Sequence, residues 1–296
     1  MNARRTQTGV ALVMVLWILL LVTISSGAYT LMARMDQLEA HTVMWGTRAR
    51  LIAEAGLNLA VLSLRDPEDE QRWTPDGRAY ELKYDDATIE VKVTDERGKV
   101  NINSADEATL VRLFVANEVE EGVANSLASA ILDWTDADEL VRPNGAEEGE
   151  YTAAGYQVGP ANREFIMVEE LLQVIGMPWD LYQKMEPGLT VWSEDSLPDP
   201  AYAPAESLLA LPDMTRDDAV KFVDERQAQE SNAGLPMSLP NGQVAMARGR
   251  GVTYSIVAKA TLPNGVWDQI EATISLGGNE NGLPYKILRW KEGFHH

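Results

Sequence analysis

The sequence predicts an α+β protein in which a long N-terminal helix packs on a small antiparallel sheet and a large all-α insertion interrupts that sheet. Three observations carry the prediction. Residues 10–33 form an uncharged run of 24 positions between Arg4–Arg5 and Arg34. Apolar residues then recur at helical spacing as far as Leu62, with no proline before Pro67. Two blocks of alternating β pattern, at 65–97 and 249–296, bracket a helical zone at 98–248.

The first element is one helix over about Val10–Leu64, apolar all round at first and amphipathic later. At ~1.5 Å per residue, positions 10–33 reach ~36 Å, enough to cross a ~30 Å hydrocarbon layer. Arg4 and Arg5 precede the run without an acid, so the positive-inside bias keeps the N-terminus in the cytoplasm and sends the bulk across the membrane. A cleaved secretory signal, cut near Ser26-Gly27-Ala28, is the alternative. Yet the run exceeds a signal core of ~7–15 residues, and the helical pattern continues past it. Met35, Leu38, Thr42, Trp45, Ala49 and Ile52 make a helix-packing stripe that serves a partner helix, the protein's own sheet, or both on different faces.

Strands follow at 79–84 and 88–94, turning at Asp85-Asp86. Near the C-terminus, TYSIVAKATL and VWDQIEATISL flank Pro263-Asn264-Gly265, which reads as a hairpin. PYKILRW (284–290) reads as one more strand. Stretches rich in Gly, Pro and Asn at 198–204 and 232–251 read as connectors.

Composition excludes several classes. The chain has 296 residues, a formal charge of −20 and no cysteine, which rules out disulfides and thiolate metal sites. Its three histidines are His41 on the long helix and the terminal His295 and His296, leaving almost no imidazole for catalysis. So acidic a body repels nucleic acid and anionic lipid, and suits a basic protein partner or a cation.

The helical zone holds three related segments: VNINSADEATLVRLF (100–114), FIMVEELLQVIGM (165–177) and AESLLALPDMTRDDAVKFVDER (205–226). In the first, Ser104 and Glu107 form a capping box; in the third, Thr215 caps the last helix. Each resembles half of a helix-hairpin-helix unit, as in DNA-binding proteins and membrane-anchored DNA receptors. Such units bind phosphate through a glycine-containing turn at a helix N-terminus. Here Val115-Ala116-Asn117-Glu118-Val119 occupies that turn, and residues 99–142 hold nine acids against three bases. Phosphate neutralisation, the main source of affinity for such binders, is missing. The segments read as a helix-packing scaffold.

The densest polar cluster is DWTDADELVRPNGAEEGEY (133–151). Asp133, Asp136, Asp138 and Glu139 fall close together, then Arg142-Pro143-Asn144-Gly145 turns the chain toward Glu147, Glu148 and Glu150. Three readings stay open: a solvated loop, a Ca²⁺ site built from several hard anionic ligands, or a carboxylate pair for acid–base hydrolysis. No nucleophile, histidine base or oxyanion motif accompanies the carboxylates.

The chain resembles the minor pseudopilin K family of the type II secretion system. The resemblance rests on the basic leader 1–9 ending in Gly9, GVALVMVLWILLLV, RGKVNINSA at 97–105, and DWTDADELVRPNGAEEGEY. PANREF, EELLQVIGM and KILRW at 286–290 extend it over nearly the full length. It implies a non-enzymatic, single-pass inner-membrane protein with a periplasmic body, which caps or initiates the secretion pseudopilus in protein export. It implies cleavage by prepilin peptidase between Gly9 and Val10, with methylation of Val10. It implies the minor pseudopilins I and J as partners along the stem, with Met14, Met35, Leu38, Trp45 and Ile52 as packing residues, and no nucleic-acid partner. The fifth mature residue is Met14 where most pseudopilins carry Glu, a departure shared with the K family. Some members bind calcium, which local similarity carries onto Asp133, Asp136, Asp138 and Glu147. The rivals are an anchored nucleic-acid receptor and a periplasmic carboxylate-dependent hydrolase.

Overall fold

The computed structural model describes residues 10–68, 71–229, 237–242, 244–245, 249–277 and 283–293. Gly9 and the rest of the expected leader lie outside the described residues. Helix α1 spans Val10–Leu64, 55 residues, or ~82 Å end to end. Every residue from Val10 to Met44 is exposed. Burial starts at Ala49 and recurs at Ile52, Ala53, Gly56, Leu57, Ala60, Val61 and Leu64, the spacing of a single helix face. Among the described residues α1 is the helix long and apolar enough to cross a membrane.

The chain continues through strands β1 (Asp76–Tyr84) and β2 (Ala87–Asp95), joined by a turn with Asp85 in the left-handed region at φ 56°. It then runs through β3 (Val100–Asn101), α2 (Glu107–Ala116), α3 (Glu121–Thr135), α4 (Glu148–Ala153), α5 (Trp179–Met185), β4 (Leu189–Thr190), α6 (Ala205–Leu208) and α7 (Arg216–Gln227). It closes with β5 (Met237–Ser238), β6 (Val244–Ala245), β7 (Thr253–Thr261), β8 (Trp267–Ser275) and β9 (Lys286–Glu292). Strands β1, β2, β7, β8 and β9 form one sheet in that order, with every neighbour antiparallel.

Strict alternation in β2 sends Ala87, Ile89, Val91 and Val93 to one face. They join Ile256, Ala258, Ala260, Ile270, Ala272 and Ile274 beneath the far half of α1. Each fully buried Ile or Val contributes about 1.5–3 kcal/mol. Gly56 sets how close the helix lies: a Cβ there would stand 2.7 Å from Ile89 Cγ2 and 3.3 Å from Val91 Cγ2. The ~1 kcal/mol that glycine costs a helix is offset by this approach.

Residues between β2 and β7 build a second core, running from Val100 to Ala245 and centred on Leu110, Leu113, Phe114, Leu127, Ile131, Trp134, Tyr151 and Leu171. It differs from the sequence expectation in three ways. The inserted lobe is not all-α, because β3 pairs with β4 in parallel and β5 with β6 antiparallel. The cap of α2 is Asp106, whose carboxylate accepts from the Thr109 N–H at 2.8 Å. Ser104 instead donates to the Asp195 carbonyl, and Glu107 accepts from Ser129 Oγ. Finally, the segments expected to repeat one hairpin unit take different forms. The first opens an α2–α3 pair, the second a 3-10 turn at Val168–Gln173 before α5, and the third α6 and α7. Thr215 caps α7 as expected.

The two cores stay separate, and the lobes meet over polar groups on the sheet face turned away from α1. Glu96 is buried there against Lys99 (2.8 Å) and Ser255 Oγ (2.5 Å). Buried Arg226 on α7 donates to the Asp76 carbonyl on β1, and Asp76 is held by Arg78 at 2.9 Å. Gly56→Leu is expected to overpack the stem on the sheet and cost about 1–3 kcal/mol. The measurement is thermal unfolding in detergent, and a melt equal to wild type would contradict the close approach.

Candidate cation site and stem surface

Helix α3 starts under a Glu120 cap and buries Ala124, Leu127, Ala128, Ile131 and Trp134. That register carries Asp133 inward, with no exposed surface. Its Oδ2 accepts from the N–H groups of Arg142 (3.3 Å) and Ala146 (2.9 Å), and the Arg142 guanidinium lies 3.0 Å from Oδ1. The same guanidinium reaches Asp136 Oδ2 at 2.9 Å. The returning turn passes through Asn144, at φ 66°, and Gly145. A Cβ on Gly145 would sit 2.0 Å from Asp133 Oδ2, so glycine is what lets the turn close over the carboxylate.

That turn delivers Glu147 as the N-cap of α4. Its own N–H donates to Glu150 Oε2 at 3.0 Å. Its side chain points into the protein, 3% exposed, and although it faces the N3 backbone in a capping box with Glu150, neither carboxylate oxygen accepts a hydrogen bond among the described residues. Asp136 Oδ1 is likewise buried and unpartnered. Asp133, Asp136 and Glu147 each offer one oxygen, and these lie within 4.8 Å of one another. Burial first, then the charges of Asp133 and Asp136, push the Glu147 carboxyl up to about 7. Burial also raises Asp133 against the pull of its backbone donors and Arg142.

Asp138 stands outside this group. It is exposed, and its Oδ1 accepts from the Leu140 N–H. The structure thus brings together three of the four carboxylates that the sequence singled out.

Buried carboxylate oxygens without donors are costly. Three carboxylates against one guanidinium leave a deficit of positive charge. Hard oxygen donors packed this closely match what Ca²⁺ requires, and the residues present fit it. Behind the cluster, the Trp134 ring stacks on Phe165 at 5.8 Å, and the Tyr151 hydroxyl accepts from the Ile175 N–H at 3.0 Å.

The stem residues divide. Met14, Met35 and Leu38 are exposed. Trp45 is half-buried against the protein's own sheet, and Ile52 belongs to its core at 5% exposure. The expected stripe therefore bends onto the sheet, because a helix that buries Ala49 and Ile52 must turn Trp45 the same way. The open face beyond is Met44, Thr47 and Leu51, which sequence reasoning missed. With Arg48, Ile52, Tyr84 and Asp85 they line a groove of about 420 Å³. The seven-residue spacing from Met44 to Leu51 was the available signal.

A long apolar stem whose far half is roofed by an antiparallel sheet, with an acidic lobe inserted between strands, defines a pilin-like class. Residues 57–194 match the family model described as type II secretion system (T2SS), protein K. The type II secretion system protein K of Klebsiella pneumoniae is 33% identical over 221 residues, 67% of this chain and 66% of that protein. Its counterpart in Pectobacterium carotovorum subsp. carotovorum is 29% identical over 177 residues, 53% of each chain. The chain thus spans about half to two thirds of the length of these relatives. The fold resembles a chain in the crystal structure of the GspK-GspI-GspJ complex from the enterotoxigenic Escherichia coli type 2 secretion system. The TM-score is 0.54 at 19% identity, covering 89% of this chain and 99% of that one. The chain belongs to the type II secretion system protein K family.

Gly145→Ala is expected to force the turn off Asp133 and destabilise the protein by about 2 kcal/mol or more. Unfolding with denaturant measures this, and a midpoint unchanged from wild type would remove the claim that the turn needs glycine.

Proposed function

We propose that this protein is a non-catalytic minor pseudopilin that caps or initiates the type II secretion pseudopilus. The observation that carries the reading is the continuity of α1, fully exposed from Val10 to Met44 and then built into the sheet core. Prepilin peptidase cuts between Gly9 and Val10 and methylates Val10. The stem then holds the protein in the inner membrane, N-terminus toward the cytoplasm and lobes in the periplasm. Met14 at the fifth mature position spares this subunit a buried glutamate that a neighbour's amine would have to neutralise. That suits the distal end of a filament, where no such neighbour follows, and an inserted lobe of this size suits a cap better than a shaft.

Its partners are minor pseudopilins I and J, packed as apolar stems along Met14, Met35, Leu38 and the Met44–Leu51 groove. An outer lobe with 27 acids and nine bases over residues 98–248 speaks against the nucleic-acid receptor. The hydrolase reading has no support beyond Glu147, whose raised proton affinity arises in a buried cluster with no nucleophile beside it. Two experiments test the proposal. Protein from cells with the full secretion system should have the mass of a chain starting at N-methylated Val10 and should co-purify with I and J. Leu51→Glu should cut that recovery at least several-fold while leaving the melt unchanged. Recovery at the wild-type level would count against stem packing in the groove.

The lobe binds Ca²⁺ through Asp133, Asp136 and Glu147. EDTA is expected to lower the melting temperature. Glu147→Gln reverses the sign: it raises the melt in EDTA, by roughly 1–3 kcal/mol of relieved charge burial, and abolishes the gain from added Ca²⁺. A melt indifferent to EDTA would remove calcium from the proposal and leave the pilin role standing.

A further inference from the structure

The 3-10 turn at Val168–Gln173 is flanked by two contacts near carboxylates of the acidic cluster, and Phe165 at its start is also tied to Asn103 by two hydrogen bonds, at 2.8 and 3.0 Å. At its start, Phe165 stacks on Trp134, the neighbour of Asp133. At its end, the Ile175 N–H donates to Tyr151 Oη, one helical turn after Glu147. Between these contacts lies Glu169. Its carboxylate pairs with Arg289 and, at 3.4 Å, with Lys291, both on edge strand β9. Glu186, from the turn after α5, pairs with the same two residues at 3.0 and 2.9 Å, and Glu271 on β8 completes the set at 3.3 Å from Arg289. All five side chains are half-buried, between 17% and 33% exposed. The next residue of β9, Glu292, pairs with Arg50 of the stem.

We infer that cation binding at Asp133, Asp136 and Glu147 controls an ionic latch between the outer lobe and the sheet, formed by Glu169 and Glu186 with Arg289 and Lys291. The inference rests on the cation reading given above and adds its consequence. Without an ion, three crowded carboxylates repel one another, and the end of α3 and the start of α4 are driven apart. Ile175 follows α4 through Tyr151, and Phe165, still tied to Asn103, loses its fixed stacking on Trp134, so the turn that presents Glu169 is held firmly at one end only. An ion draws the helix ends together, sets both contacts and holds Glu169 against Arg289. Because the seam between the lobes is polar, with separate cores on each side, little apolar burial opposes opening. The latch is the two-state element that such coupling requires, and linkage makes it reciprocal: a broken latch must weaken the ion.

The absence of cysteine allows a labelled pair on the full chain in detergent, Gln183→Cys on α5 and Thr88→Cys on β2, both exposed positions. Spin-label distances are read in EDTA and in Ca²⁺, and Ca²⁺ affinity is measured by calorimetry. The expected result is a broad distribution in EDTA that narrows with Ca²⁺. Arg289→Ala with Lys291→Ala should stay broad in both and lose about five-fold or more in Ca²⁺ affinity. Glu169→Gln, which leaves the sheet untouched, should do the same in smaller measure, and Arg289→Lys should recover part of the effect. Lys221→Ala, at an exposed pair on α7, should change neither reading. Ca²⁺ that binds without narrowing the distances, or with wild-type affinity in the latch variants, overturns the coupling while leaving the cation site intact. Failure of wild-type protein to bind Ca²⁺ overturns both.

Discussion

One helix has to satisfy two solvents, and the rest of the structure is arranged around that constraint. The first half of α1 offers no polar side to water and exposes every residue to Met44. The second half buries one narrow face on a sheet. Nothing breaks the helix between them, so any force on the stem arrives directly at the sheet. The contact has to be close to be firm, and Gly56 provides that by letting the backbone approach Ile89 and Val91. A larger residue would strengthen the isolated helix and weaken its packing on the sheet.

Much of this was legible because each element carries its own period. The limits of α1 follow from an apolar run without proline, and β2, β7 and β8 follow from alternation with turn residues between them. Features that depend on competition between neighbours were not legible. Ser104 and Glu107 satisfy the capping-box pattern, but Asp106 reaches the Thr109 N–H with the stronger acceptor, and the helix starts two residues later. VEELLQ has helical composition, yet Glu169 and Glu170 are drawn to Arg289 and Arg163, and Val174 is extended, so only a 3-10 turn remains. For the acidic cluster, sequence spacing gave Asp133 and Asp136, three apart at the end of one helix. Asp138 falls after the helix ends, where spacing no longer fixes direction. Glu147 arrives from the far side of a turn that only the backbone at Asn144 and Gly145 explains.

Charge is distributed as unevenly as apolar surface. Residues 98–248 hold 27 acids and nine bases, a net of −18, so the inserted lobe carries nearly all of the chain's −20. Repulsion within a lobe that acidic is partly answered by cations placed where several acids meet: Arg142 at Asp133 and Asp136, and Arg289 with Lys291 at the seam. The last pair belongs to the sheet. The acidic lobe thus draws part of its countercharge from its mount, which orients it more selectively than apolar contact would, since ion pairs fix partners as well as distance.

Strand β9 is where these arrangements converge, and its alternation explains how. Trp290 faces the stem and packs on its core, while Arg289 and Lys291 face the lobe. Glu292, two residues further and on the same face as Trp290, pairs with Arg50 on the stem. Seven residues therefore touch the long helix, the sheet and the outer lobe at once. An edge strand is the weakest member of a sheet by hydrogen bonding alone, since one side has no ladder. Here side-chain charge supplies what the missing ladder does not. The same basic residues that dock the lobe also place charge along an exposed edge, which discourages pairing with a stray strand. The ladder with β8 and the packing of Trp290 hold this edge to the sheet, and the lobe's acids add a second attachment from the opposite face, so one short strand ties the outer lobe to the stem.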